Sequence, residues 1–172
     1  MERDFVDWVL ARWRAERPDL DVSSIAVAGR LARVARLQGR RLERVCRDIG
    51  VNLGELSVLT TLRRAGQPHH LTPSELYRAT MVTSGAMTKR IDHLLALGLV
   101  ERVRDPRDAR SVRVGLTPAG LDFVDAAVGP YLEAEREVVA ALTAEEQVEL
   151  ARLLRKLLLA LEGTAATHGA GS

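Results

Sequence analysis

The sequence predicts a mainly α-helical protein that carries one small β-hairpin. Over most of its 172 residues, apolar side chains recur at the three- and four-residue spacing of amphipathic helices. Only between residues 100 and 116 does the period change to two, which is typical of strands. A composition of 47% hydrophobic and 28% charged residues is that of a globular protein, so a disordered or collagen-like chain is excluded.

The predicted helices begin and end at local signals. Thr72 and Glu75 flank Pro73 in a capping-box pattern that marks a helix start, and Gly50 and Gly98 are placed to end two helices. The helices are expected at residues 24–49, 54–64, 72–79 and 83–97, from residue 117 past Gly129 and Pro130, and from Thr143 to about residue 162. Four of them therefore precede the change of period and two follow it.

A β-hairpin is expected directly after the fourth of these helices. Val100, Arg102 and Arg104 lie at every second position, and the same period of two returns at Val112, Val114 and Leu116. The connector at residues 105–110 is rich in turn-forming and charged residues. Three short helices followed by such a hairpin is the element order of a winged helix-turn-helix domain, which the sequence places at residues 51–116.

The flanking segments 1–50 and 117–163 are predicted to form a helical dimerisation region. The last helix carries more leucines than one stripe can bury within a monomer, namely those at 150, 153, 154, 157, 158, 159 and 161. The simplest partner for such an apolar excess is a second copy of the chain, which makes a homodimer. Residues 164–172 are expected to be a flexible tail.

The charges of the chain are separated by region, although the net charge is only +2. Residues 78–113 hold eight basic and four acidic residues, whereas residues 114–172 hold four basic and nine acidic ones. A basic segment that contains the fourth helix and the hairpin is expected to meet a polyanion. Because aromatic residues make up only 3% of the chain, duplex DNA is favoured over single strands, which bind by stacking.

The candidate DNA contacts lie at the start of the fourth helix and at the hairpin tip. Small polar residues with one cation suit a helix end that enters a major groove, and arginines suit a wing in the minor groove. These candidates are Thr83, Ser84, Gly85, Thr88 and Lys89 on the helix and Arg104, Arg107, Asp108 and Arg110 on the hairpin. The alternatives are an ordinary solvated helix start and a charge cluster that neutralises itself.

The stretch from Leu53 to Gly120 resembles the MarR family of bacterial dimeric winged-helix repressors. Its most specific piece is the wing sequence DPRDAR at 105–110, followed by LTPAG at 116–120. The resemblance implies a homodimer joined by the first and the last two helices, with two recognition helices on a pseudo-palindromic duplex operator. It also implies a small-molecule pocket between the dimerisation and DNA-binding parts.

Residues 13–21 and 84–92 are similar to the urate-responsive branch of that family. This likeness implies a ligand site at Trp13, Ser57, Arg90 and Arg102. Ser57 occupies the position that the branch fills with an acidic residue, and a hydroxyl cannot replace an ionised group. The two arginines are therefore expected to bind a more anionic or differently shaped effector, such as a carboxylate or phenolate. The predicted partner is thus a small anionic or aromatic effector.

Plainer interpretations of the same residues remain open. The alternative for Trp13 is a packing role at the dimer interface, and the alternative for Arg90 and Arg102 is ion pairs to Asp92 or Glu101. We expect ligand contact for the two arginines.

Three other functions compete with a ligand-responsive regulator. An enzyme is disfavoured because the sequence contains no carboxylate pair, no nucleophile with a spaced histidine and no glycine-rich phosphate loop. A redox-sensing regulator would use Cys46, but this cysteine follows Val45 on the apolar side of a long helix, which favours a buried and inert thiol. The third is a winged-helix oligomerisation adaptor that contacts proteins instead of DNA.

No metal, cofactor or membrane is expected as a partner. His69 and His70 are adjacent and His93 is isolated, so the histidines lack the spacing of a zinc site. No apolar run approaches the roughly 20 residues of a membrane span, and the charged N-terminus does not resemble a signal peptide. The sequence therefore predicts a cytoplasmic protein.

Overall fold

The computed structural model describes residues 2–80, 84–104 and 112–168, with the backbone alone at residues 84–85 and 164–168. The elements are α1 (Phe5–Glu16), α2 (Ile25–Asp48), α3 (Leu53–Arg64), β1 (His70–Leu71), α4 (Pro73–Thr80), α5 (Ser84–Ala96), β2 (Val100–Arg104), β3 (Val112–Leu116), α6 (Pro118–Val139) and α7 (Ala144–His168). The chain divides into two compact units between Ala134 and Glu135, and each is described by itself. The predicted fold class, mainly α with a small β element, is confirmed.

The core of the first unit is built around α3. Leu56, Leu59 and Leu62 lie on one stripe of this helix and are fully buried, as their spacing predicts. They pack with apolar side chains from α2, α4, α5, the strands and α6. Each fully buried leucine contributes about 1.5–3 kcal/mol relative to an exposed one, so this cluster is what holds α4 and α5 in place.

The helix ends follow the signals in the sequence. Thr72 and Glu75 form the capping box at the start of α4, with the Thr72 N–H donating to Glu75 Oε2 at 2.7 Å. Gly50 ends α2 with φ +85°, and Gly98 ends α5 with φ +69°, a left-handed conformation that other residues rarely adopt.

The strands form a three-stranded antiparallel sheet in the order β1-β3-β2. The hairpin is confirmed, with Val100 opposite Leu116, whereas β1 was not expected from the sequence because two residues show no period. Its pairing places His70 opposite Gly115, where a Cβ would overlap the imidazole ring. The connector between β2 and β3 lies outside the described residues.

The second unit consists of the end of α6 and of α7. As expected, α6 continues through Pro130, and α7 begins at a capping box in which Glu146 Oε2 accepts from the Thr143 N–H at 2.8 Å. A flexible tail was expected over residues 164–172, and in the structure α7 continues to His168. One glycine costs a helix only about 1 kcal/mol and no proline follows it, so nothing in the sequence stops the helix there.

None of the helices, in the part of the chain that is described, is long and apolar enough to cross a membrane.

Candidate DNA interface and ligand pocket

Helix α5 is held by one face and presents the opposite face to solvent. Met87, Ile91 and Leu94 are buried in the core of the first unit. Two of the predicted DNA contacts, Thr88 and Lys89, are exposed on this helix. A helix anchored in this way can enter a groove of DNA without unpacking its own domain.

The other predicted DNA contacts are only partly within the described residues. Ser84 and Gly85 form the first turn of α5, and Arg104 is the exposed last residue of β2. The remaining four, Thr83, Arg107, Asp108 and Arg110, lie outside the described residues.

The start of α4 carries a carboxylate close to the wing. Hydrogen bonds from Thr72 hold the pKa of Glu75 below its usual range, and the nearby positive charges of Arg113 and Arg78 lower it further. The Arg113 guanidinium lies 4.0 Å from this carboxylate. Glu75 therefore stays ionised at neutral pH and balances one of the wing arginines.

A cavity of about 560 Å³ lies between the end of α2, the start of α3 and α5. Its polar lining comes from Glu43, Arg47, Asn52, Ser57, Thr80 and Arg90. Two arginines against one glutamate give this lining a positive balance, which suits a small anion. The volume is within the range of about 300–1,000 Å³ that is common for small-molecule sites.

Among the residues that line this cavity, Arg90 is the one best placed to bind an anion. Among the residues that the structure describes, none forms an ion pair or hydrogen bond with its guanidinium. The guanidinium lies against Gly54, where a Cβ would overlap it. An arginine with its donors unused beside a cavity is available for an anionic ligand.

The structure brings together two of the four predicted ligand residues, Ser57 and Arg90. Arg102 lies on β2, donates to Asp92 at 2.8 Å and borders a smaller cavity of about 190 Å³. Trp13 lies on α1, 45% exposed, beside a further cavity of about 390 Å³. The Asp92 contact is the ion pair that the plainer interpretation of Arg102 expects.

Arg47 is a cavity residue that sequence reasoning missed. It is one of seven arginines on α2, and nothing in the local sequence distinguishes it from the other six. Only the packing of the end of α2 beside the start of α3 places it on the same cavity as Arg90.

The contact between Glu55 and His93 was missed as well. Glu55 is only 4% exposed, and its Oε1 lies 2.8 Å from Nδ1 of His93 on α5. Asn52 and Glu55 form a capping box at the start of α3, but a local pattern of this kind does not reveal the partner on another helix.

Cys46 is fully buried in the core of the first unit. Burial raises the pKa of its thiol, and the negative charge of Glu43 adds to this effect. Both effects reduce the thiolate that reacts with peroxide, which argues against redox sensing through this residue. Among the described residues, no group of three potential metal ligands is present.

Comparison with known proteins identifies the family. A model of the MarR family matches residues 49–111. The HTH-type transcriptional regulator PecS of Dickeya dadantii is 35% identical over 149 residues, which cover 87% of this chain and 90% of PecS. The chain belongs to the MarR family. This confirms the resemblance seen in the sequence and the winged-helix fold.

Similar solved structures agree with this assignment. A cysteine-to-serine mutant of Escherichia coli MarR in complex with operator DNA shares 30% identity at a TM-score of 0.69, over 81% of this chain and 99% of that one. Bordetella bronchiseptica BpsR, whose DNA binding is regulated by 6-hydroxynicotinic acid, shares 26% identity at a TM-score of 0.68, over 76% and 91%. This MarR-family chain is a DNA-binding transcriptional regulator and not an enzyme.

Proposed function

We propose that this regulator represses transcription in the cytoplasm by binding a pseudo-palindromic duplex operator as a homodimer, and that a small anion releases it. The observation that carries the DNA-binding mode is the exposed Thr88 and Lys89 on a helix whose other face is buried. The operator complex of the related MarR supports duplex DNA as the partner. The proposed contacts are those predicted from the sequence, on α5 and on the wing.

Homodimerisation is supported by apolar side chains that each chain leaves exposed. On α7, Leu158, Leu159 and Leu161 are between 56% and 68% exposed. On α2, Val27 and Val34 are each more than half exposed. Burying such side chains contributes about 1.5–3 kcal/mol each, so packing them against a second copy of the chain would stabilise a dimer. The flanking helices are accordingly the proposed dimerisation region.

The proposed effector is a hydroxylated aromatic carboxylate. Its carboxylate would pair with Arg90, whose donors are unused among the described residues, and Arg47 supplies a second cation on the same cavity. Ser57 can donate to or accept from a hydroxyl group of the ligand. The 6-hydroxynicotinic acid that regulates BpsR belongs to this chemical class.

Variants at the two lysines of the chain, Lys89 and Lys156, test the DNA-binding proposal. After the preferred duplex is selected from a random pool, the double variant Thr88→Ala with Lys89→Ala is expected to lose about 10- to 100-fold in affinity and to stay dimeric. Lys156, the other lysine of the chain, is exposed on α7, so Lys156→Ala is the matched control and is expected to bind normally. Unchanged binding by the double variant would favour the adaptor function instead.

The effector proposal is tested by comparing two arginine variants. Titration of the operator complex with aromatic carboxylates is expected to release the wild-type protein from the DNA. The Arg90→Ala variant is expected to stay bound. Arg102→Ala, which removes the partner of Asp92 on a different cavity, is expected to keep the ratio of affinities with and without ligand. Release that survives in Arg90→Ala contradicts the assignment of the 560 Å³ cavity.

A further inference from the structure

Glu55 is a buried acidic side chain that connects the wall of the ligand cavity to α5. Its Oε2 accepts a hydrogen bond from the Asn52 N–H at 2.9 Å, and Asn52 Oδ1 accepts from the Glu55 N–H at 2.9 Å. The other oxygen, Oε1, is hydrogen-bonded to His93 Nδ1 at 2.8 Å. Both oxygens of one carboxylate are thus used, one at the N-cap of α3 and one across to α5.

The same turn of α3 meets α5 at two consecutive turns. Arg90 and His93 are three residues apart and therefore share one face of α5. Arg90 lies against Gly54, and His93 meets Glu55, the next residue along the chain. Asn52 and Gly54, which precede Glu55 in the sequence, line the cavity that Arg90 also lines. A ligand in this cavity and the Glu55 contact therefore act on the same two elements.

We propose that Glu55 is a positioning residue that holds α5 in its DNA-binding orientation through His93, and that an anion bound by Arg90 releases the operator by straining this contact. The inference rests on the effector site of the proposed function. A buried carboxylate that loses its partner is strongly unfavourable, so the contact resists small rotations of α5. An anion that draws the Arg90 guanidinium away from Gly54 pulls on α5 one turn from that contact.

The position of His93 makes the inference testable without disturbing the core. Its side chain is 51% exposed, so substitutions there leave the packing of Met87, Ile91 and Leu94 intact. His93→Ala is expected to lower operator affinity at least tenfold while the protein stays folded and dimeric, with a lowered melting temperature because Glu55 loses its partner. His93→Asn, whose amide nitrogen takes the position of Nδ1 and can still donate to Glu55, is expected to bind within about threefold of the wild type.

A double variant distinguishes the positioning of α5 from the destabilising effect of an unpaired buried carboxylate. Glu55→Gln combined with His93→Ala removes the unpaired carboxylate but does not restore the link to α5. If Glu55 positions α5, operator affinity stays as low as in His93→Ala. If affinity returns to the wild-type level, the effect of His93→Ala came from an unpaired buried charge, and the inference is overturned.

The response to ligand distinguishes this inference from the proposed function. With 6-hydroxynicotinate as the probe, the ratio of operator affinities without and with ligand is expected to shrink in His93→Ala. If the wild type is released and His93→Ala keeps both its affinity and its ratio, the role of Glu55 is refuted and the effector site stands. If the probe does not release the wild type, the effector proposal fails, and unchanged operator affinity of His93→Ala then refutes the role of Glu55 separately.

Discussion

Helices α3 and α7 are both apolar, yet they use their apolar residues in opposite ways. Half of the 12 residues of α3 are buried within the first unit, including Leu56, Leu59 and Leu62. None of the described side chains of the 25-residue α7 is buried, and Val148 is 72% exposed.

The difference separates residues that fold one chain from residues that, in the proposed homodimer, pack against a second chain. The stripe on α3 is complete, because α4, α5 and the strands cover it. The leucines of α7 have the same spacing and no such cover within their own unit. Apolar periodicity alone therefore predicts that a surface will be buried, but not which chain will bury it.

The largest expected effect comes from opening the core around α3. Leu59→Ala removes a fully buried side chain and is expected to lower the free energy of unfolding by about 2–5 kcal/mol, since the surrounding helices close the cavity only partly. Chemical denaturation followed by circular dichroism measures this loss. The matched change on α7, Leu159→Ala, removes a side chain that is 65% exposed and is expected to cost far less in a monomeric state.

The second effect tests the use that we propose for α7. Leu158→Glu with Leu161→Glu is expected to dissociate the dimer and to reduce operator affinity by about 100-fold or more, because each monomer then holds only one half-site. Sedimentation velocity and binding to the operator measure the two losses. Lys156→Glu introduces the same charge on the other side of the helix and is expected to remain dimeric; dissociation in this control would show that charge alone is responsible.

A smaller effect concerns the thiol of Cys46, which is buried in the same core as the leucines of α3. Because Cys46 is fully buried and its pKa is raised, peroxide at concentrations that oxidise exposed thiols is expected to change operator affinity by less than about twofold. Mass spectrometry of the treated protein measures oxidation directly. Cys46→Ser is the control, and release by peroxide that this variant abolishes would establish redox sensing after all.

The smallest effect is the response of α7 to acid. The pKa values of Glu145 and Glu149 are lowered, the first by backbone and Thr143 hydrogen bonds and the second by Arg152. Their stabilisation is present above the usual carboxylate range and is lost as the pH falls through their lowered pKa values. Circular dichroism between pH 5 and pH 3 is expected to show a slight loss of helix, and the double glutamine variant a smaller one. An equal loss in that variant would assign the response to other carboxylates.

Much of the fold was predictable because its signals are local. Capping residues such as Thr72 and Thr143 and terminating glycines such as Gly50 act within one turn of the residues that they order. Strand β1 was not predictable, since two residues become a strand only by pairing with β3.

Only those residues of the candidate site that the family resemblance identifies one by one were predictable from the sequence. Ser57 and Arg90 were identified through resemblance and do lie on one cavity, but Arg47 joins them through helix packing. The Glu55–His93 contact spans 38 residues of sequence, and no pattern announces a pair at that distance. Contacts between elements depend on the folded core, and the sequence shows them only after the core is known.

The most direct test of the proposed DNA-binding mode is the salt dependence of operator affinity. Fluorescence anisotropy of the selected duplex, measured from 50 to 200 mM salt, follows the release of counterions from phosphates. If the dimer contacts about six to ten phosphates, affinity is expected to fall by roughly 10³- to 10⁵-fold, and the slope to be shallower in Arg104→Ala. Affinity that stays flat across this range would contradict a basic α5 and wing on duplex DNA.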